Sequence, residues 1–120
     1  MKRFSLRERI RSFYFAFKGL RAVFVREHNS RIHALATVFV IVLAILFPTS
    51  LTETILLVFA VALVWITELV NTALESLCDF ITVERRKQIE YIKDLSAAAV
   101  LIAAVAALLT GGIIFIPKIF

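Results

Sequence analysis

The chain has 120 residues, of which 61% are hydrophobic, and a formal net charge of +5. A soluble domain is roughly 45–50% apolar, and a chain this short cannot bury such an excess in a core of its own, so an integral membrane protein is the class that remains. The one cysteine, Cys78, rules out an internal disulfide or a CxxC site and is expected to be a packing thiol.

In chain order, the first predicted element is an amphipathic surface helix over residues 5–27. Ser5 and Glu8 have capping-box spacing. Leu6, Ile10, Phe13, Phe17, Leu20 and Phe24 recur every three or four residues, with Arg7, Arg11, Lys18 and Arg21 to one side. This is the pattern of a helix lying in a membrane interface. Glu27-His28-Asn29-Ser30 predicts a break, since Asn and Ser favour caps and turns. A first span is predicted over 32–47, within the uncharged run Ile32–Thr52 and ended by Pro48. A second is predicted over 52–79. Its uncharged part, Thr54–Thr67, falls short of the ~20 residues a crossing needs, so the helix must continue through Glu68 and its neighbours. A third, over 94–116, opens LSAAAVLIAAVAALL, whose small residues predict close helix packing. Repeats and linkers are absent from the sequence, and residues 1–120 read as a single domain.

Charge sets the orientation. Lys2, Arg3, Arg7, Arg9, Arg11, Lys18, Arg21, Arg26 and Arg31 crowd the N-terminal arm, the first loop has no basic residue, and the second has Arg85, Arg86, Lys87 and Lys93. The positive-inside rule makes the N-terminus and the second loop cytoplasmic and leaves the C-terminus, with Lys118, outside. Basic residues so placed suit anionic headgroups, and no nucleic-acid partner is expected. Charged and amphipathic residues precede the first span, so no cleavable signal is expected.

The segment ELVNTALESLCD carries acids where the second span should leave the membrane. On a helix, Glu68, Glu75 and Asp79 fall within about 40° of one line and Asn71 about 60° to the side. With the orientation above, Glu75 lies about 6 Å and Glu68 about 16 Å deeper than Asp79. A charged acid at a span's centre costs roughly 2.5–3.5 kcal/mol and generally faces a bundle interior. One reading is a structural network in which Asn71, Lys93 or an arm arginine satisfies the acids. The other is chemical. Paired carboxylates can hold Mg²⁺ against substrate phosphates, and a deeper, desolvated carboxylate can act as a base near neutral pH. A lipid hydroxyl lies just below the headgroups and a nucleotide approaches from the cytoplasm, so a graded acidic face is where the two can meet. Phosphoryl transfer to a lipid alcohol is thus predicted, against two alternatives: an acid-lined proton or ion channel, and a scaffold without activity.

ELVNTALESLCD followed by KDLSAAAVL from Lys93, with FKGLRA near Lys18 and EHNSRIH, resembles the signature of the bacterial integral-membrane diacylglycerol kinase family over nearly the whole chain. The E-x-N-x-x-x-H segment from Glu27 to His33, the ELxNTAxE core and the GxIIFxPK ending at Lys118 resemble the undecaprenol kinase branch; diacylglycerol-specific members usually have Glu where His33 stands. The resemblance implies an ATP-dependent lipid kinase of the bacterial inner membrane and a homotrimer with sites between protomers. Undecaprenol is the expected substrate and diacylglycerol the alternative. It also implies Glu27 and Glu75 as Mg²⁺ ligands and Glu68 as acceptor of the hydroxyl proton. Asn71, Asp79, Lys93 and Asp94 match nucleotide-site or site-organising positions, and Glu84, Arg85 and Arg86 a nucleotide-contacting stretch. The sequence has no GxxxxGK[ST], so metal and Lys93 would neutralise the phosphates electrostatically. Arg86 stands where the family often has His, Phe15 where some members have Tyr, and Phe80 where Leu or Arg is common. His28 and His33, five apart, lie on different helix faces and do not suggest a zinc site; His33 is expected to hydrogen-bond Glu27 or lipid.

Overall fold

The structure, a computed structural model, describes residues 3–120; Lys2, counted above with the basic arm, lies outside the described residues. Four helices follow one another: α1 (Leu6–Arg26), α2 (His28–Leu46), α3 (Leu51–Ile81) and α4 (Lys87–Ile119). The last three are each long and apolar enough to cross a membrane. The protein is an all-α integral membrane protein with an amphipathic N-terminal helix.

Helix α1 starts at Ser5, whose hydroxyl accepts from the Glu8 amide. Its only buried residue is Val23, while Leu6, Ile10, Phe13, Phe17 and Phe24 are exposed. An apolar face with nothing of its own chain against it suits the headgroup boundary. The break after α1 is one residue wide. Glu27, at φ −105° and ψ 122°, ends α1 and caps α2, and His28, Asn29 and Ser30 are already helical. Asn and Ser are tolerated in a first helical turn, so their presence did not mark the width of the break. Arg31 takes up carbonyls left over at the end of α1, donating to Val25 O at 2.8 Å and to Phe24 O at 3.4 Å. It therefore clamps the corner between the two helices.

Helix α3 opens with a complete capping box: the Glu53 amide donates to Ser50 Oγ and the Ser50 amide to Glu53 Oε1. It runs to Ile81, and α4 begins at Lys87, well before the predicted start of the third span. Hydropathy marks where a helix enters hydrocarbon. The charged turns from Lys87 to Asp94 precede that point. At 1.5 Å per residue α4 is about 50 Å long, against a hydrocarbon core of about 30 Å.

The most extensive contact is between α3 and α4. Leu57, Val64, Asn71 and Cys78 are buried along α3, each seven after the last, with Glu68 buried to the side of this row, and Ser96 and Ala103 are buried on α4 with the same spacing. A heptad stripe keeps two helices in contact along their length, and small residues on α4 let the backbones approach. At the end of the bundle where α3 begins and α4 finishes, Leu57, Ile114 and Phe115 form a cluster joined by Val40, Leu43, Ala44 and Phe47 from α2 and the following turn. Lys118 Nζ lies 3.2 Å from Glu53 Oε1 and fastens the end of α4 to the start of α3.

Candidate functional site

The polar residues of α3 meet partners from two other helices, level by level. At the deepest level Glu68 is 1% exposed, and its Oε2 lies 3.4 Å from His33 Nε2 on α2. The contact has ion-pair distance but not hydrogen-bond alignment, and Oε2 has no other partner. The imidazole meets Trp65 edge to face at 6.4 Å. Trp65 Nε1 donates to Thr37 Oγ1 at 3.0 Å, and that hydroxyl donates to the His33 carbonyl at 2.7 Å. His33 was expected to bond Glu27 or lipid; its partner is Glu68, because one face of α2 carrying residues 33 and 37 turns toward one face of α3 carrying 65 and 68.

At the next level Asn71, also buried, hydrogen-bonds Ser96 across the seam at 2.6 Å. At the boundary Lys93 Nζ reaches Asp79 Oδ1 at 2.7 Å. The pair is partly exposed, and Lys93 is also within electrostatic reach of Glu75. Glu75 itself is half-buried and enters no ion pair among the described residues. Glu27 is likewise half-buried, at the α1–α2 hinge, and its side chain makes no cap hydrogen bond.

The turn between α3 and α4 holds Glu84 and Arg86, which pair with each other at 3.1 Å in an exposed position. Arg85 and Asp94 are exposed. His28 is exposed at the first position of α2, away from any cluster of metal-ligating side chains. No group of three or more His, Cys, Asp or Glu side chains forms among the described residues. The structure thus joins Glu68 to His33, Asn71 to Ser96 and Asp79 to Lys93, and leaves Glu27 and Glu75 without an ion-pair partner among the described residues. Sequence reasoning missed Ser96, Thr37 and Trp65. The signal for Ser96 was its place as a lone polar residue at the head of an alanine run.

A family model described as prokaryotic diacylglycerol kinase matches residues 14–115. The chain is 38% identical to a diacylglycerol kinase of Synechocystis over 109 residues, covering 90% of this chain and 62% of that protein. It is 34% identical to a diacylglycerol kinase of Escherichia coli K12 over 96 residues, 80% of this chain and 79% of the other. It is 31% identical to an undecaprenol kinase of Bacillus subtilis over 109 residues, 91% and 89% of the two chains. The chain therefore spans less than two thirds of the cyanobacterial relative and most of the other two. With its membrane helices and its acidic face on α3, the chain belongs to the prokaryotic diacylglycerol kinase family.

Proposed function

We propose that this chain, a lipid kinase by family, transfers the γ-phosphate of ATP to the primary hydroxyl of a membrane lipid alcohol, undecaprenol in the first instance. The observation that carries the reading is the graded face of α3. Glu75 stands there without an ion-pair partner between a buried Asn71–Ser96 pair and a boundary Lys93–Asp79 pair. Such a row runs from where a nucleotide can bind to where a lipid hydroxyl lies. The E-x-N-x-x-x-H segment and the C-terminal GxIIFxPK pattern favour undecaprenol. Diacylglycerol is the second reading, supported by the names of the relatives at 38% and 34% identity.

In this reading the nucleotide lies at the cytoplasmic boundary. Lys93, held by Asp79, faces its phosphates, Asn71 and Asp94 organise the site, and the exposed Glu84-Arg85-Arg86 turn covers the nucleoside end. Glu27 and Glu75 are hard oxygen donors uncommitted to any ion pair, which fits Mg²⁺, a cation that takes a few carboxylates and completes its shell with phosphate and water. When bound, that ion neutralises charge on the transferring phosphoryl group. Glu68 accepts the proton of the attacking hydroxyl. An apolar groove of about 440 Å³ between α2 and α3, lined by Thr37, Val40, Ala44, Leu57 and Val61, offers a lipid tail a track toward that level.

The exposed apolar faces, including Phe39, Ile66, Leu101 and Leu108, are available to lipid and to neighbouring copies. We take the protein to be a homotrimer in the bacterial inner membrane with its N-terminus cytoplasmic. One oxygen of the buried Glu68 carboxylate faces His33 of α2 and not a water path, which disfavours a channel, since a channel needs its acids to line such a path. The test is phosphorylation of undecaprenol and of diacylglycerol in mixed micelles with labelled ATP and Mg²⁺. Labelled undecaprenyl phosphate is expected. Label in phosphatidic acid alone selects the second reading, and label in neither lipid defeats the kinase assignment.

A further inference from the structure

We propose that His33 is a positioning residue for Glu68: its Nε2–H engages Oε2, fixes the plane of the carboxylate and directs the other oxygen toward the lipid hydroxyl. The inference rests on the reading of Glu68 as proton acceptor.

Four residues from two helices close a ring around this contact. Trp65 and Glu68 share one turn of α3, and His33 and Thr37 share one turn of α2. Trp65 braces the imidazole with its ring and reaches Thr37 through its indole N–H. The Thr37 hydroxyl returns to the His33 backbone. The imidazole is held from the side and from behind, with its Nε2 edge left toward Glu68.

The carboxylate needs such a partner. A buried polar oxygen left without a donor loses its hydration and gains nothing in return. Glu68 Oε2 is buried and has no hydrogen-bond donor, and His33 Nε2 is the basic group within ion-pair distance of it. A Glu side chain has three rotatable bonds. Without a fixed contact its lone pairs sample many directions, and proton abstraction depends on alignment as well as distance. The present 3.4 Å separation is long for a hydrogen bond, and small rotations of either side chain close it as the hydroxyl arrives.

The test is steady-state kinetics of purified oligomer in mixed micelles of undecaprenol, with labelled ATP. The variants are His33→Leu, which keeps bulk and removes the donor, His33→Gln, which keeps an N–H near the Nε2 position, Glu68→Gln, and the Glu68→Gln/His33→Leu double variant. His33→Leu should lower kcat roughly 10–100-fold, the range seen when partners that orient functional ligands are removed, with KM for ATP within about twofold of wild type. His33→Gln should recover most of that loss. The double variant should be no slower than Glu68→Gln alone, because a residue that acts through Glu68 then has nothing to position. Should His33→Leu fail to assemble, Trp65→Phe carries the same test: it keeps the ring, removes the bond to Thr37 and should lower kcat roughly 3–10-fold with KM for ATP unchanged. Wild-type kcat in His33→Leu while Glu68→Gln is inactive overturns this inference alone. Equal losses in the Leu and Gln variants also overturn it, since they point to packing. Wild-type turnover in Glu68→Gln overturns both the inference and the reading beneath it.

Discussion

Ser96 and Asn71 meet at 2.6 Å inside the α3–α4 seam, both buried, with Val64 and Cys78 one heptad to either side of Asn71. Side-chain hydrogen bonds between membrane helices average about 0.6 kcal/mol and reach about 1.7. Ser96→Ala should therefore destabilise the fold by about 1 kcal/mol, read from unfolding in a detergent titration. Asn71→Ala should cost a similar amount of stability and also raise KM for ATP, because it removes the amide proposed for the nucleotide site.

The Lys93–Asp79 pair should behave in the opposite way. Its partners are partly exposed, and exposed pairs contribute about 0–1 kcal/mol. Lys93→Met should leave the unfolding midpoint nearly unchanged. It should raise KM for ATP by about tenfold or more, since the charge-assisted contact proposed between Lys93 and phosphate would be lost. ATP titrations at saturating lipid check this, and a variant with normal KM would remove Lys93 from the nucleotide site.

Glu75→Gln should reduce turnover to background while the purified oligomer keeps its size on gel filtration. Glu75→Asp should lose roughly 100-fold in kcat, because shortening the side chain by one methylene would misplace the proposed Mg²⁺ ligand by about 1 Å. Titration with Mg²⁺ at fixed ATP should show a raised requirement in Glu75→Asp.

At the far end of the molecule, Glu53 serves both the capping box of α3 and the contact with Lys118. Glu53→Ala should lower stability by about 1 kcal/mol, the usual cost of a cap, and leave kcat and both KM values as in wild type. A change in kcat would mean that the Glu53–Lys118 clasp is coupled to the proposed site at the other end of α3.

Much of this fold can be read from local pattern. Uncharged runs mark three spans, and the spacing of Leu6 through Phe24 marks the surface helix, because each signal lies within one element. The alignment of Glu68, Glu75 and Asp79 is likewise a property of a single helix. What they pair with is legible only in part: Lys93 is among the partners that the sequence offers the acids, but which acid it takes, and that Glu68 takes His33, is not. Glu68 finds His33, 35 positions earlier, through the way α2 leans on α3, and Lys93 finds Asp79 through the five-residue turn 82–86. Neither partnership has a spacing rule in the sequence. The helical extent was hidden for another reason: the charged residues from Lys87 to Asp94 fail every hydropathy criterion yet are good helix formers, so α4 continues through them. Arg31 looked like one more headgroup cation, and only the corner geometry shows it committed to the carbonyls of α1.

A repeat of seven residues has an ambiguity of its own. Sliding α4 past α3 by one repeat, about 10.5 Å, would bring the same kinds of apolar side chain back into contact. The hydrogen bond between residues 71 and 96 distinguishes the true stagger from its neighbours, as an index mark does on an otherwise uniform scale. A chain with both positions changed to alanine should still hold its two long helices together, but at more than one offset, and in every offset but one the cation at position 93 would miss the acid at 79.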